Sequence, residues 1–178
     1  MATSMATSKS IDWDVCERCV EESGIGIRLP TGGKCWAHAD DSDLDAALKR
    51  LGEDGRVDAR GVPVTTELLQ RLLAAVPKDE RGHVVLTDPR FDRAVFHGDA
   101  VFDTATFRGT AVFQEAAFQD AAQFLGATFA SDATFGMATF RGVAWFSQAN
   151  FHRRRVPRGD VPGPRSVRRC DFPARRRV

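Results

Sequence analysis

Hydrophobic and polar positions follow two different rules along this chain. Over residues 41–76 the apolar positions fall at helical spacing. "DDSDLDAALKRLG" predicts a helix with Ser42 or Asp41 as its cap, Asp43 and Asp45 in its first turn and a stop at Gly52. "VTTELLQRLLAAVP" predicts a second helix that starts at a Thr cap and ends before Pro77. Leu68, Leu69, Leu72, Leu73 and Val76 give it one apolar face. The intervening "RVDARGVPV" reads as a short strand and turn, and "HVVLT" at 83–87 reads as a strand.

From residue 91 the rule changes. Phe stands at positions 91, 96, 102, 107, 113, 118, 124, 129, 135, 140, 146 and 151, with spacings that alternate strictly between five and six. From Phe96 onward each has Ala two residues earlier: Ala94, Ala100, Ala105, Ala111, Ala116, Ala122, Ala127, Ala133, Ala138, Ala144 and Ala149. Eleven consecutive matches are a solenoid signature.

In extended chain, residues i−2 and i share a side. Ala and Phe therefore face inward together, and the residue between them faces out. That residue is often Val or Thr (Val95, Val101, Thr106, Val112, Thr128, Thr134, Thr139), which suits an outward β surface. The residues after each Phe are often turn formers, as in "HGD", "RGT" and "ASD". Each unit is then a very short strand plus a corner. A helix is rejected, because steps of five and six scatter successive rings round its axis and leave no single apolar face.

The pattern resembles the pentapeptide repeat family over about 87–151. The resemblance implies a mainly β fold, a right-handed four-sided β-helix of about three coils, with Phe stacked up the axis and Ala in the core corners. Phe91, Phe113 and Phe135 would share one stack, and the other nine would form three more. Family members have five residues per side and twenty per coil, whereas this chain uses 22 per coil. The sixth residue is expected at alternate corners, as a bulge at Asp99, Thr110, Ala121, Asp132 and Val143. Only stacked neighbours bury the rings, so both ends need caps. Residues 41–86 serve as a two-helix N-terminal cap, no C-terminal cap is evident, and an open end invites self-association.

The segment 11–40 carries a different signal. "CERC" at 16–19 and "CWAH" at 35–38 give Cys-x2-Cys, fifteen residues, then Cys-x2-His. Two thiolates three apart can clasp one tetrahedral ion, and the second pair closes the site. Cys16, Cys19, Cys35 and His38 are therefore the expected ligands of a structural Zn2+. The alternative is that they are reduced core residues. Four ligands leave no open position for catalysis. The segment also resembles a module ahead of Phe-type repeats in some bacterial pentapeptide repeat proteins, on the order "CWAH", "DARGVPVTTELLQRLL", "FHGDAVFDTATF". That likeness covers about 13–151 and implies no activity.

Composition changes the picture at the ends. The chain has 13 Phe and no Tyr, and a net charge of +1 that is unevenly spread. Residues 152–178 hold ten Arg against Asp160 and Asp171, a net +8, so the remainder carries −7. Two origins fit this Arg/Pro-rich tail, expected to be disordered. It is an anion-binding arm, or out-of-frame translation of high-GC DNA. The second is favoured, because the Ala-x-Phe rule breaks mid-solenoid. Residues 1–10 read as a disordered leader without the apolar core of a secretory signal. No stretch is apolar enough to span a membrane. A cytoplasmic protein with reduced thiols is expected.

No nucleophile-and-base arrangement accompanies His83, His97 or His152, and no phosphate-binding glycine loop is present. The expectation is a non-enzymatic protein-interaction scaffold with an unidentified protein partner, in which Trp145 and the Val/Thr rows are candidate contacts. Some members of the family resemble duplex DNA, so a DNA-mimic modulator of a type II topoisomerase (gyrase) is the alternative. The array is weakly acidic for that role, with six acids against Arg93, Arg108 and Arg141. Nucleic acid is not an expected partner.

Overall fold

The computed structural model describes residues 11–30 and 32–152. The leader 1–10 and residues 153–178, including Cys170 and the Arg-rich tail, lie outside the described residues. Helix α1 (Glu17–Glu21), helix α2 (Asp41–Asp54), strand β1 (Pro63–Thr65), helix α3 (Thr66–Ala75) and strand β2 (Val85–Thr87) come first. Strands of two or three residues follow, from Val95 to Phe151.

The short strands make a four-sided column of parallel sheets. On the first side Arg90, Val112 and Thr134 are successive partners. On the second, Phe96 pairs with Phe118 and Phe118 with Phe140. On the third, Val101 pairs with Gln123 and Gln123 with Trp145. On the fourth, Phe107 pairs with Phe129 and Phe129 with Phe151. Every step is 22 residues, as the Phe spacing requires.

Inside, the rings form the four expected stacks. Vertical neighbours are 4.5–5.2 Å apart and within 12° of parallel. The spacing follows from the distance between paired strands. Rings of the opposite first and third stacks meet edge-on across the core, as Phe102 does with Phe113 at 5.8 Å and 78°. These geometries suit the ring quadrupole and add about 0.5–1.5 kcal/mol per pair beyond burial. Among the described residues no polar or charged side chain is buried. A Tyr hydroxyl would have no partner in this core, which explains why the chain has Phe and no Tyr.

Five-residue corners close with a hydrogen bond from the Ala N–H to the preceding Phe carbonyl, as from Ala94 to Phe91 at 3.1 Å. The residue before that Ala is left-handed: Arg93, Thr104, Glu115, Gly126, Met137 and Gln148 have φ between 56° and 65°. The six-residue corners carry an extra residue whose N–H needs another acceptor. Asp side chains one coil earlier accept it at two of the expected bulges, from Thr110 to Asp88 at 3.0 Å and from Ala121 to Asp99 at 3.2 Å.

The ladder continues below the Phe rows. Val64 of β1 pairs with Phe96, Leu86 of β2 pairs with Phe107, and Asp58 bridges to Arg90. On the third side α3 takes the place of a strand and packs beneath Ala100–Val101, tied by the Thr66 hydroxyl to the Asp99 carbonyl at 3.3 Å. The Phe core thus passes into Leu68, Leu69 and Leu72 of α3 and Leu44, Ala47 and Leu51 of α2 without a gap. At the other end Phe135, Phe140 and Phe146 are half-buried and Phe151 is 55% exposed.

Helix α3 starts at a Thr cap as expected, and the structure assigns it to Thr65, whose side chain accepts the Leu68 N–H at 3.2 Å. Helix α2 differs from expectation. Its cap is Asp40, which accepts the Asp43 N–H at 3.1 Å, and it ends at Gly55 in the left-handed conformation. Gly52 lies inside the helix, where a Cβ would come 3.1 Å from the Ala75 carbonyl. This glycine permits close approach of α3 and does not stop the helix.

Candidate metal centre

Cys16 is the N-cap of α1, and Cys19 lies on the same short helix, so both sulfurs point the same way. A bridge between Val15 and Ile27 folds the following loop back, and the Cys16 N–H donates to the Gly26 carbonyl at 2.7 Å. Cys35 opens a tight turn whose carbonyl accepts the N–H groups of His38 and Ala39 at 3.0 and 2.8 Å. The turn swings His38 over the two α1 cysteines.

All four expected ligands come together, with their donor atoms within 4.8 Å of one another. The His38 Nδ1 is 3.5 Å from Cys16 Sγ, 3.4 Å from Cys19 Sγ and 3.5 Å from Cys35 Sγ, and the Cys19 and Cys35 sulfurs are 3.7 Å apart. Metal bonds of about 2.3 Å to sulfur and about 2.05 Å to nitrogen, at tetrahedral angles, give S···S edges of about 3.8 Å and S···N edges of about 3.5 Å. These four separations are therefore those a tetrahedral ion would impose. An ordinary core histidine would not aim one nitrogen at three sulfurs.

The surroundings suit thiolates. Backbone N–H groups of Cys19, Gly26 and Ala37 reach the sulfurs of Cys16, Cys19 and Cys35. Gly26 is needed for this, since a Cβ there would stand 2.8 Å from the Cys19 sulfur. Burial raises the Cys16 thiol, but hydrogen bonds from the Cys19 N–H and from His38 outweigh it and bring the pKa down to about 7. Burial pushes Cys19 and Cys35 up, and the charges of neighbouring thiols add to the rise. Without an ion, then, the cluster readily ionises one thiol of three. A bound cation would have to displace the other protons.

The centre is built against the column. The Trp36 indole N–H donates to the Asp58 carbonyl at 2.8 Å, and the Ile27 N–H to the Arg60 carbonyl at 2.7 Å. Trp13 donates to the Ile25 carbonyl at 2.8 Å. Its ring lies 5.0 Å from the Arg60 guanidinium and 5.9 Å from that of Arg93. Both arginines are held by carboxylates, Arg60 by Asp58 at 2.8 Å and Arg93 by Glu115 at 3.0 Å. Trp13 thus joins the Cys/His segment to two levels of the ladder, through cation–π contacts. Sequence reasoning missed this clamp, and also Glu22, whose carboxylate lies 3.3 Å from His38 Nε2. Neither has a local motif.

Elsewhere, Trp145 is 46% exposed on the third side of the column. His83 pairs with Asp79 at 3.5 Å, and His97 and His152 are exposed. No helix among the described residues is long and apolar enough to cross a membrane. No curated protein and no solved structure matches the chain. The family described as pentapeptide repeats (9 copies) does match, over residues 82–122 and 113–154. The matched residues and the 22-residue coils cover the same stretch, so residues 82–154 of this chain are similar to pentapeptide repeats.

Proposed function

We propose that the protein is a non-enzymatic interaction scaffold, in which a zinc-bound cap anchors a stiff column that presents a side to a partner protein. One observation carries this reading. The third side and its flanking corners gather Val101, Leu125, Val143 and Trp145, four of the seven large apolar residues exposed in the described part. Val101, Gln123 and Trp145 lie in register on one ladder, so the row has strand spacing and a rigid backing of stacked Phe. A largely apolar side of this kind, with Gln123 between Val101 and Trp145 and fixed in place before binding, suits a protein surface. Zinc fits the donor set, since three thiolates and one imidazole in a closed tetrahedron are its usual structural ligands. The ion would hold residues 11–40 against the column and supply no chemistry.

The test is capture from a bacterial lysate by the immobilised full chain, with zinc present, beside the variants Trp145→Asp and Val101→Asp. A protein retained in near-stoichiometric amount by the wild type and lost from both variants supports the reading. Equal retention by all three overturns the assignment of this side. A type II topoisomerase among the retained proteins, together with inhibition of supercoiling, would favour the DNA-mimic alternative.

A further inference from the structure

His38 has two ring nitrogens, and the structure uses them differently. Nδ1 faces the three cysteine sulfurs at 3.4–3.5 Å. Nε2 faces away from them and lies 3.3 Å from Oε2 of Glu22. The other oxygen of Glu22, Oε1, accepts a hydrogen bond from Nε of Arg18 at 2.9 Å. Arg18 sits between Cys16 and Cys19 on α1, and Glu22 is the residue that ends that helix. The helix that supplies two ligands therefore also supports the third, through Arg18 and Glu22.

We propose that Glu22 is a positioning residue for the metal centre: its carboxylate selects the His38 tautomer and fixes the ring plane so that Nδ1 is free to bind the ion. The inference rests on the zinc reading above. A neutral imidazole that binds metal through Nδ1 must carry its proton on Nε2. A carboxylate acceptor at Nε2 holds that proton there, as outer partners of metal-bound histidines do. Without it the ring can place its proton on Nδ1 or turn, and either change removes the ligand. His38 is only 18% exposed, so little water is at hand to replace the acceptor; Glu22 is half exposed, which places the effect toward the lower end of the usual range. Loss of such an outer partner lowers metal affinity by 10–100-fold in general, so about tenfold is expected here.

Glu21 provides the control. It lies on the same helix, carries the same charge and also pairs with Arg18, at 3.3 Å. It has no hydrogen bond or ion pair to His38 in this structure. The experiment measures Zn2+ affinity of the full chain by competition with a chromogenic chelator, for the wild type, Glu22→Ala, Glu22→Gln and Glu21→Ala. Circular dichroism in excess zinc checks that each variant folds. The hydrogen bond at His38 Nε2 is read in the zinc-bound protein from the Nε2 proton and its exchange with water in proton–nitrogen NMR spectra, which a general loss of column stability would not alter. The expected order is wild type and Glu21→Ala equal, Glu22→Gln intermediate and Glu22→Ala weakest by about tenfold, with the Nε2 proton of zinc-bound Glu22→Ala exchanging faster than in the wild type. Wild-type protein that binds no zinc would overturn the metal reading itself. One zinc bound with equal affinity by all variants would leave that reading standing and overturn the role of Glu22. Equal weakening by Glu21→Ala and Glu22→Ala would assign the effect to helix charge, and would also overturn it.

Discussion

The Cys/His segment and the Phe column are held together by opposite means. In the segment, four side chains meet at one point, and each is needed to complete the tetrahedron. In the column, twelve rings stand in four stacks of three, and each ring is supported by its one or two neighbours in the stack. The first arrangement fails all at once. The second fails by degrees that depend on how many neighbours a ring has. The largest effect on stability should therefore come from the ion. Apparent metal free energies in small structural zinc sites are about 10–16 kcal/mol, more than any single ring can contribute. Chelation, or Cys35→Ser, should loosen residues 11–40 and weaken the clamps on Trp13 and Trp36, giving a red-shifted fluorescence spectrum. The column should keep its β circular dichroism and unfold at a lower temperature. Unchanged fluorescence after verified removal of metal would contradict the point-held description of this segment.

The same comparison makes an unusual prediction for pH. In the metal-free segment the pKa values of Cys19 and Cys35 are raised on folding. Their contribution is fully present below the unfolded thiol value and is lost as pH rises beyond it. Cys16 has the opposite sign, with a pKa lowered to about 7. Its contribution is present above the unfolded value and fades as pH falls through about 7. The metal-free segment is therefore weakened by acid below the unfolded thiol value through Cys16, and by alkali above that value through Cys19 and Cys35. With an ion bound, protons compete for the same thiolates and acid weakens the segment. Thermal melts from pH 6 to 10, with and without zinc, should therefore rise together from about pH 7 towards the unfolded thiol value of about 9 and part above it, where the metal-free form alone falls. Parallel slopes above about pH 9 would show that the ion does not engage the thiols.

Within the column the graded response can be measured ring by ring. Phe113 has rings above and below it and is fully buried. Phe113→Ala should cost about 3–5 kcal/mol by denaturant unfolding. Phe151 has one vertical neighbour and is 55% exposed, so Phe151→Ala should cost about 1 kcal/mol. Equal costs would mean that the end ring is covered in solution. Substitution by Tyr sharpens the contrast. At Phe113 the hydroxyl would be buried without a partner, at a cost of about 1–3 kcal/mol, whereas at Phe151 it should be neutral.

How much of this was legible in the sequence depends on the same distinction. The column was legible because its rule is arithmetic, and an unbroken Ala-x-Phe series fixes which side chains share a side. The metal cluster was legible because the Cys-x2-Cys and Cys-x2-His spacings are local. The base of the column was not legible. There Val64 and Leu86 stand where Phe stands in later coils, and Val62 and Val84 replace the small residue two before. With α3 in place of a strand on one side, the period is interrupted and cannot be seen as a repeat. Glu22 and the Trp13 clamp depend on partners brought close only by the fold. Gly52 was misread as a helix stop because a glycine needed for close packing looks the same in sequence as one needed for a left-handed cap.

The smallest effect tests the corners, where repetition allows a comparison inside one molecule. Thr104 and Gly126 occupy the same corner one coil apart, with φ of 57° and 65°. Gly adopts this conformation freely, whereas a β-branched residue there is strained by about 1–2 kcal/mol. Thr104→Gly relieves that strain but gives the unfolded chain more freedom, which removes about 0.5–1 kcal/mol of the gain. The net should be a stabilisation of about 0.5–1 kcal/mol, seen as a higher denaturant midpoint with an unchanged slope. Gly126→Thr should show the reverse. The Thr104 Cγ2 lies 3.8 Å from where a Cβ on Gly126 would stand, an ordinary contact, so the loss would reflect backbone strain and not crowding. If both substitutions destabilise, the threonine has a packing role at its own level that outweighs its strain, and the coils are less interchangeable than their register suggests.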